Sequence, residues 1–405
     1  MQAMGLSVPV SVPFYHSRLC MNNASPHPPI PLNLNHGFSK SLTFRDRLTR
    51  GKSSHVIRSQ KNRDDDGDVD GFYMRKSVEL ARKALGCTSP NPLVGCVIVK
   101  DGQIVGQGFH PKPGQPHAEV FALRDAADLA ENATAYVTLE PCNHFGRTPP
   151  CTEALIKARL KKVVVGMVDP NPIVASKGLD RLRGAGIEVV VGVEEELCKG
   201  LNEGYIHHML TQKPLLTLRY SLSVNGNLLD SLGNGVTHSG GYYSRLLQEY
   251  DAVILSSSLF RETISVDSVP SSQEPGANQP IRFIMHRDSD CITTPPEETQ
   301  QGIKTVSVDQ INLDVILDYC NHQGLCSVLL DMRGNFSEYQ ELVKEGIKKK
   351  YINKFVTEIL PLWNGCNQND PLSPFKNLDQ GVKVENLRPM ASAQSVVIEG
   401  YLNFN

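Results

Sequence analysis

No stretch of this chain stays apolar long enough to cross a bilayer. The longest runs, such as residues 163–165 and 189–191, fall far short of the roughly 20 residues a spanning helix needs. Acids are nearly missing from the first sixty positions, where Asp46 stands alone against Arg18, Lys40, Arg45, Arg47, Arg50, Lys52 and Arg58. A paired cysteine framework is also missing. Ten cysteines are scattered without regular spacing, which argues against a disulfide-stapled scaffold and suits reduced thiols in a stromal or cytosolic compartment. No internal repeat or long low-complexity tract interrupts the chain beyond residue 70.

A length of 405 residues points to two or three domains, and 40% hydrophobic with 21% charged residues is an ordinary globular balance. The net charge of −2 conceals an asymmetry: beyond residue 60 stand 34 basic against 42 acidic residues. A body this acidic is poorly suited to nonspecific nucleic-acid binding, which depends on neutralising phosphates. Residues 1–59, rich in Ser, Pro and Arg and without periodicity, read as an organellar transit peptide rather than as a tail with no address. The pattern favours a plastid over a mitochondrion, with cleavage near 57–60, ahead of the acidic run 64–70. The expected location is the plastid stroma.

Regular patterning begins at residue 72. Met74, Val78, Ala81 and Leu85 share one helical face, and Gly86 supplies a C-terminal stop. Strands over 93–99 and 103–108 flank Asp101-Gly102, a strong hairpin signal. A helix from about Ala118 is expected to face Val120, Leu123 and Ala127 inward. Strand 135–139, helix 151–159, strand 162–168, helix 178–184 and strand 187–193 follow, then a helix over 201–210. The predicted architecture is a three-layer α/β/α unit over 70–212, with a boundary at Lys213-Pro214. Beyond it, strands at 215–218, 252–255, 281–285, 327–330 and 354–359 alternate with helices at 242–249 and 338–348. Residues 267–280 read as a polar loop.

The chemistry lies in Pro116-His117-Ala118-Glu119-Val120 and in Glu140-Pro141-Cys142, continuing to Pro149-Pro150-Cys151. One imidazole and two thiolates make three zinc ligands and leave a fourth position open, as in catalytic rather than structural sites. Both sulfurs are expected near helix starts, where the dipole favours thiolate. Glu119 is free to act as general base and then general acid. His-x-Glu with Pro-Cys is a known deaminase signature, although its usual second half is Cys-x-x-Cys and eight residues intervene here. A closed structural zinc site would need a fourth ligand; His144 is the one nearby candidate, and its position suits substrate contact better. Alone, a His-Ala-Glu or a Pro-Cys carries little meaning; the combination at β-to-α junctions carries much more.

These segments, with Ser89-Pro-Asn91-Pro-Leu-Val-Gly95-Cys-Val and Asp169-Pro-Asn171-Pro, resemble the deaminase half of the bifunctional riboflavin-biosynthesis deaminase–reductases. The resemblance implies a cytidine-deaminase-like fold with one zinc per chain. It also implies deamination of 2,5-diamino-6-ribosylamino-4(3H)-pyrimidinone 5′-phosphate, a phosphorylated pyrimidine, with neither nucleic acid nor membrane as partner. His117, Cys142 and Cys151 match the family's ligands and Glu119 its proton shuttle. Asn91, His110 and His144 match residues lining the substrate pocket, and Arg147 stands where a cation reads the ribose phosphate. A homo-oligomer is expected.

Residues 213–405 resemble the family's dihydrofolate-reductase-like reductase domain but depart from it where chemistry would occur. Arg219 replaces a Lys, and Ser223-Val-Asn-Gly-Asn227 replaces Ser-Leu-Asp-Gly-Lys/Arg. Val236-Thr-His-Ser239 replaces Trp-Ile-Thr, the single tryptophan being far away at Trp363. Arg261-Glu-Thr-Ile stands in place of an Asp-Asp/Asn-Pro loop, and Asp331-Met-Arg-Gly334 in place of Glu-Gly-Gly. This half is therefore expected to be a degenerate reductase without NADPH binding, as in plant monofunctional members. The alternative is a bifunctional enzyme with divergent NADPH contacts.

Overall fold

Helix α1 (Val69–Ala81) starts at an Asp68 cap, whose carboxylate accepts from Gly71 N at 3.1 Å. It buries Tyr73, Met74, Ser77, Val78, Leu80 and Ala81, a wider face than the spacing predicted. Leu85 lies past its end and is half-buried, and Gly86, at φ +71°, takes the left-handed stop. In the computed structural model the described residues are 68–145, 149–171, 175–261, 270–285, 297–298, 304–308, 312–365, 372, 381–392 and 394–404. The transit-peptide reading over 1–59, Arg147 and part of the 267–280 loop fall outside them.

Strands β1 (Gly95–Lys100) and β2 (Gln103–Phe109) form the expected hairpin, with Asp101 and Gly102 both at positive φ, as a type I′ turn requires. Helix α2 (Ala118–Ala126) departs from the predicted facing except at Leu123, which packs against the core. Ala118, Glu119, Ala122 and Ala126 are buried, Val120 and Leu123 are half-buried, and Ala127 is exposed. The cause is close approach to β2. A Cβ at Gly108 would lie 2.2 Å from Ala118 O, and one at Gly106 would lie 2.3 Å from Ala122 O. The helix backbone rests on two bare glycines through its alanines, and that rotation carries Glu119 inward.

The first half continues with β3 (Thr134–Leu139), α3 (Cys151–Lys157), β4 (Lys162–Met167), α4 (Lys177–Gly184), β5 (Glu188–Val191), α5 (Glu195–Leu201) and α6 (Glu203–Thr211). Its sheet runs β2-β1-β3-β4-β5, antiparallel to β3 and parallel beyond. Ala122, Leu155, Leu179 and Leu182 cover one face, against Ile98, Val137 and Val165. Met74, Val78 and Cys198 cover the other, against Val97, Tyr136 and Val164. Three layers result, as expected. The predicted helix over 201–210 is instead the end of α5 plus α6. Between them, buried Asn202 breaks out to bond the Leu93 backbone, accepting from its N at 2.8 Å and donating to its O at 3.0 Å.

The second half builds a ten-stranded sheet from β6 (Leu215–Ser223), β7 (Leu228–Leu229), β8 (Ala252–Ser256), β9 (Ile281–Met285), β10 (Glu297–Glu298), β11 (Lys304–Val308), β12 (Ser327–Asp331), β13 (Ile352–Leu360), β14 (Lys383–Ser392) and β15 (Ser395–Asn403). Its order is β10-β11-β9-β8-β12-β6-β13-β15-β14, with β7 beside β6. The six strands from β11 to β13 are parallel. Helices α7 (Tyr242–Glu249), α8 (Ser258–Arg261), α9 (Leu313–His322) and α10 (Gln340–Lys348) connect them. The helix expected over 338–348 begins as a short 3₁₀ turn at Phe336–Glu338. Residues 62–405 form one compact unit, and no helix of the described residues is long and apolar enough to cross a membrane.

Gly108→Ala is expected to destabilise the fold by about 2 kcal/mol, because backbone rather than a side-chain tip blocks the new methyl. Gly184→Ala, with open space around it, serves as the neutral control. Equal urea midpoints for the two variants would remove the close-approach explanation.

Candidate active site

His117 is the residue immediately before α2, and Cys151 is the first residue of α3. Cys142, expected near a helix start, sits instead in the loop after β3. It still feels the α3 terminus, because the Cys151 backbone N–H donates to its sulfur at 3.4 Å. His117 Nδ1 lies 3.5 Å from Cys142 Sγ and 3.3 Å from Cys151 Sγ, and the three donor atoms fall within 4.8 Å of one another. The eight-residue spacing closes because Thr152 N donates to Cys142 O at 3.2 Å, returning the loop onto itself.

Glu119 stands beside this cluster, 3% exposed, with Oε2 lacking any hydrogen-bond partner. Burial, then the nearby Cys142 charge, pushes its carboxyl up to about 7. The Cys151 hydrogen bond holds Cys142 well below the usual thiol range, while that same contact, burial and Glu119 hold Cys151 well above it. The Cys142 contact raises His117. Two thiols and a carboxyl this close cannot all ionise unless a cation joins them. Soft sulfur donors with one imidazole suit zinc, and the unpartnered Glu119 oxygen lies where a catalytic rather than a structural ion needs a base.

Asn91 and His110 meet: Asn91 Nδ2 lies 3.0 Å from His110 Nε2, and His110 Nδ1 lies 3.1 Å from Pro116 O. A carbonyl only accepts, so Nδ1 carries the hydrogen and Nε2 accepts from Asn91. His110 is thus neutral, consistent with burial lowering its pKa. Its ring packs edge-on to His117, with centroids 5.3 Å apart. His144 is exposed; near it, burial raises the Asp169 carboxyl above its usual range, and His144 opposes that shift only weakly. Arg147 lies outside the described residues.

Sequence reasoning missed Glu140 as a residue with work of its own. Its buried carboxylate accepts from the backbone N–H of Asp169 (3.2 Å), Ser176 (2.9 Å), Gly178 (2.9 Å) and Leu179 (3.4 Å). It satisfies the orphan donors at the start of α4 and fixes the loop facing Cys142. An acid ending an otherwise apolar strand was the available signal.

In the second half, the positions that depart from the reductase pattern bond one another. Fully buried Arg219 donates to Asp331 Oδ1 (3.4 Å), Glu358 Oε2 (3.2 Å), Tyr242 Oη (2.7 Å) and Ser221 Oγ (2.7 Å). Tyr243 Oη donates to Asp331 Oδ2 at 2.6 Å and accepts from Arg333 at 3.2 Å. Burial opposes the Arg219 charge, but Tyr242 and Asp331 outweigh it and keep the guanidinium protonated. Trp363 is 82% exposed.

The fold and this donor set define a zinc-dependent hydrolase of the cytidine-deaminase-like class. The model for the cytidine and deoxycytidylate deaminase zinc-binding region matches residues 68–167. A chloroplastic riboflavin biosynthesis protein PYRD of Arabidopsis thaliana is 50% identical over 97% of this chain and 99% of its own length. The chain belongs to this PYRD/RibD family of riboflavin-biosynthesis proteins, and its activity is a deamination in that synthesis. Among solved structures, Acinetobacter baumannii RibD is 33% identical with a TM-score of 0.63, covering 83% of this chain and 99% of that one. A Thermotoga maritima protein described as a diaminohydroxyphosphoribosylaminopyrimidine deaminase/5-amino-6-(5-phosphoribosylamino)uracil reductase is 26% identical with a TM-score of 0.64, covering 82% and 99%. The C-terminal half fits the reductase-like part of that architecture.

Proposed function

We propose that residues 70–212 hydrolyse 2,5-diamino-6-ribosylamino-4(3H)-pyrimidinone 5′-phosphate to 5-amino-6-ribosylamino-2,4(1H,3H)-pyrimidinedione 5′-phosphate and ammonia. The observation that carries the reading is a buried carboxyl with a free oxygen beside three clustered metal donors. His117, Cys142 and Cys151 would hold one zinc, whose Lewis acidity makes water nucleophilic near neutral pH. As water adds to the ring carbon bearing the 2-amino group, Glu119 Oε2 takes its proton. The same carboxyl delivers that proton to the ring nitrogen, then takes the proton of the added hydroxyl and passes it to the amine, so the carbonyl forms as the carbon–nitrogen bond breaks with ammonia as leaving group. Asn91, His110 and His144 line the pocket, and Arg147 reads the phosphate. With Nδ2 committed to His110, Asn91 presents Oδ1 as acceptor for a ring N–H or amine.

The second half, 213–405, is a degenerate reductase that binds no NADPH. Supporting this, Met332 and Arg333 stand where the family pattern holds two close-approach glycines, and Arg219, in place of its lysine, is bound up in a buried network with Asp331 and Glu358. The chain works as a homo-oligomer in the plastid stroma. In support, β14 has no further strand beside it among the described residues and leaves Val384 and Leu387 exposed, residues 1–59 have transit-peptide composition, and the Arabidopsis relative is named chloroplastic.

Glu119→Gln is expected to lower kcat about a thousandfold while elemental analysis still finds one zinc per chain. Undiminished ammonia release would remove Glu119 from the mechanism. Supplying NADPH with the deaminated product should give no NADPH oxidation; oxidation matched by ribose reduction would favour the bifunctional reading. Light scattering and N-terminal sequencing of protein purified from plastid stroma should return a mass above one chain and a start near residue 60. A monomeric mass or an intact N-terminus would reject the corresponding part.

A further inference from the structure

The loop from Gly86 to Leu93, which carries Asn91, is held largely by the second half of the chain. Asn278 Nδ2 donates to Gly86 O. At φ +71°, Gly86 itself presses on α7, where an added Cβ would sit 2.8 Å from Gln248 O. Gly324, also at φ +71°, lets its turn lie against the Pro90 ring, and the Cys326 thiol approaches Pro90 O at 4.0 Å. Asp251 ties these contacts together. Its Oδ2 accepts from Cys326 N (2.7 Å), Ser327 N (3.1 Å) and Ser327 Oγ (3.1 Å), fixing the turn whose Gly324 and Cys326 lie against Pro90. At the loop's other end, Asn202 clamps Leu93. Directly beyond it, Glu203 is fastened to the second sheet by Lys354 (3.0 Å), which also pairs with Glu399 (3.1 Å), and by Tyr401. A cavity of about 620 Å³ lies along this seam, bordered by Thr88, Ser89 and Asn91 on one side and Asp251, Ser327 and Lys354 on the other.

The geometry points to a positioning role for the degenerate half in the first half's reaction: Asp251, with Asn278, braces the 86–93 loop and so fixes the Asn91 amide in the substrate pocket. This rests on the reading of Asn91 as a substrate contact. The loop has little regular structure of its own beyond the Asn91 N to Thr88 O turn at 2.7 Å, so its order must come from what it touches. Because the brace acts on binding geometry, its loss is read in KM, while zinc and Glu119 keep their places.

The test is steady-state deamination of the phosphorylated diaminopyrimidine by the full, zinc-loaded chain. Asp251→Ala should raise KM about tenfold with kcat within about twofold and one zinc per chain. Asn278→Ala, at an exposed position that unfolding does not threaten, should raise KM about threefold. Asn91→Ala should raise KM by itself, and adding Asp251→Ala to it should give no further rise, since both act through one group. A merely structural Asp251 predicts additive effects, and additivity overturns the brace. An unchanged KM in Asn278→Ala does so too, even if Asp251→Ala fails to fold. An unchanged KM in Asn91→Ala instead defeats the pocket reading beneath the proposal.

Discussion

Two thiols, an imidazole and a carboxyl are crowded into one poorly hydrated spot, and their charges cannot coexist there unaided. Like charges a few ångströms apart in a low-dielectric site drive protons onto one partner, which explains why Cys142 and Cys151 are displaced in opposite directions. A divalent cation removes the conflict by turning mutual repulsion into shared attraction. The fold therefore stores a binding demand in the first half. Most of the surrounding architecture serves to stop the groups relaxing apart: the glycine-bearing β2, the alanine face of α2 and the Glu140 clamp on the α4 loop. Glu140 matters here because four backbone donors around one buried carboxylate leave little freedom in the wall opposite Cys142.

The donor set was legible from sequence because its chemistry is local. His-Ala-Glu and Pro-Cys each mean little alone, but together they fall at β-to-α junctions that follow from periodicity. The orientation of α2 was not legible. The expectation that Val120 would join Leu123 inward ranks side chains by apolar bulk, whereas the helix seats itself by its smallest residues where the opposing strand offers glycine. Gly106 and Gly108 were visible, but nothing local says which helix will lie over them. The split of α5 from α6 was hidden for a related reason. Asn202 breaks the helix to satisfy the backbone of Leu93, a partner 109 residues away. Long-range polar pairing is what periodicity leaves out.

The departures in the second half gain meaning only in three dimensions. Read one at a time, Arg219 and Asp331 look like losses. Together with Glu358 they form a buried ion network in which each charge depends on the others. Removing one partner of such a set leaves an uncompensated buried charge and costs about 3–5 kcal/mol. Tyr242 and Tyr243 add hydrogen bonds to Glu358 and Asp331, although Arg219 Nε finds no partner. The network sits beside an apolar core that runs from Leu216 and Ile254 through Val328 to Leu342.

Taken alone, the second half reads as inert bulk beside the first. The contacts across the seam argue otherwise, because they converge on one short loop. Asp251 fixes the Cys326–Ser327 backbone that lies against Pro90, while Lys354 is largely buried in order to hold Glu203. Burying an ammonium is costly without two carboxylates, and Glu399 supplies the second. Polar contacts of this kind specify geometry more than they add net stability. A catalytic loop with little secondary structure needs such specification more than it needs further apolar area. The zinc ligands demand the spot, but the loop that presents Asn91 to it takes its shape from the other half of the chain.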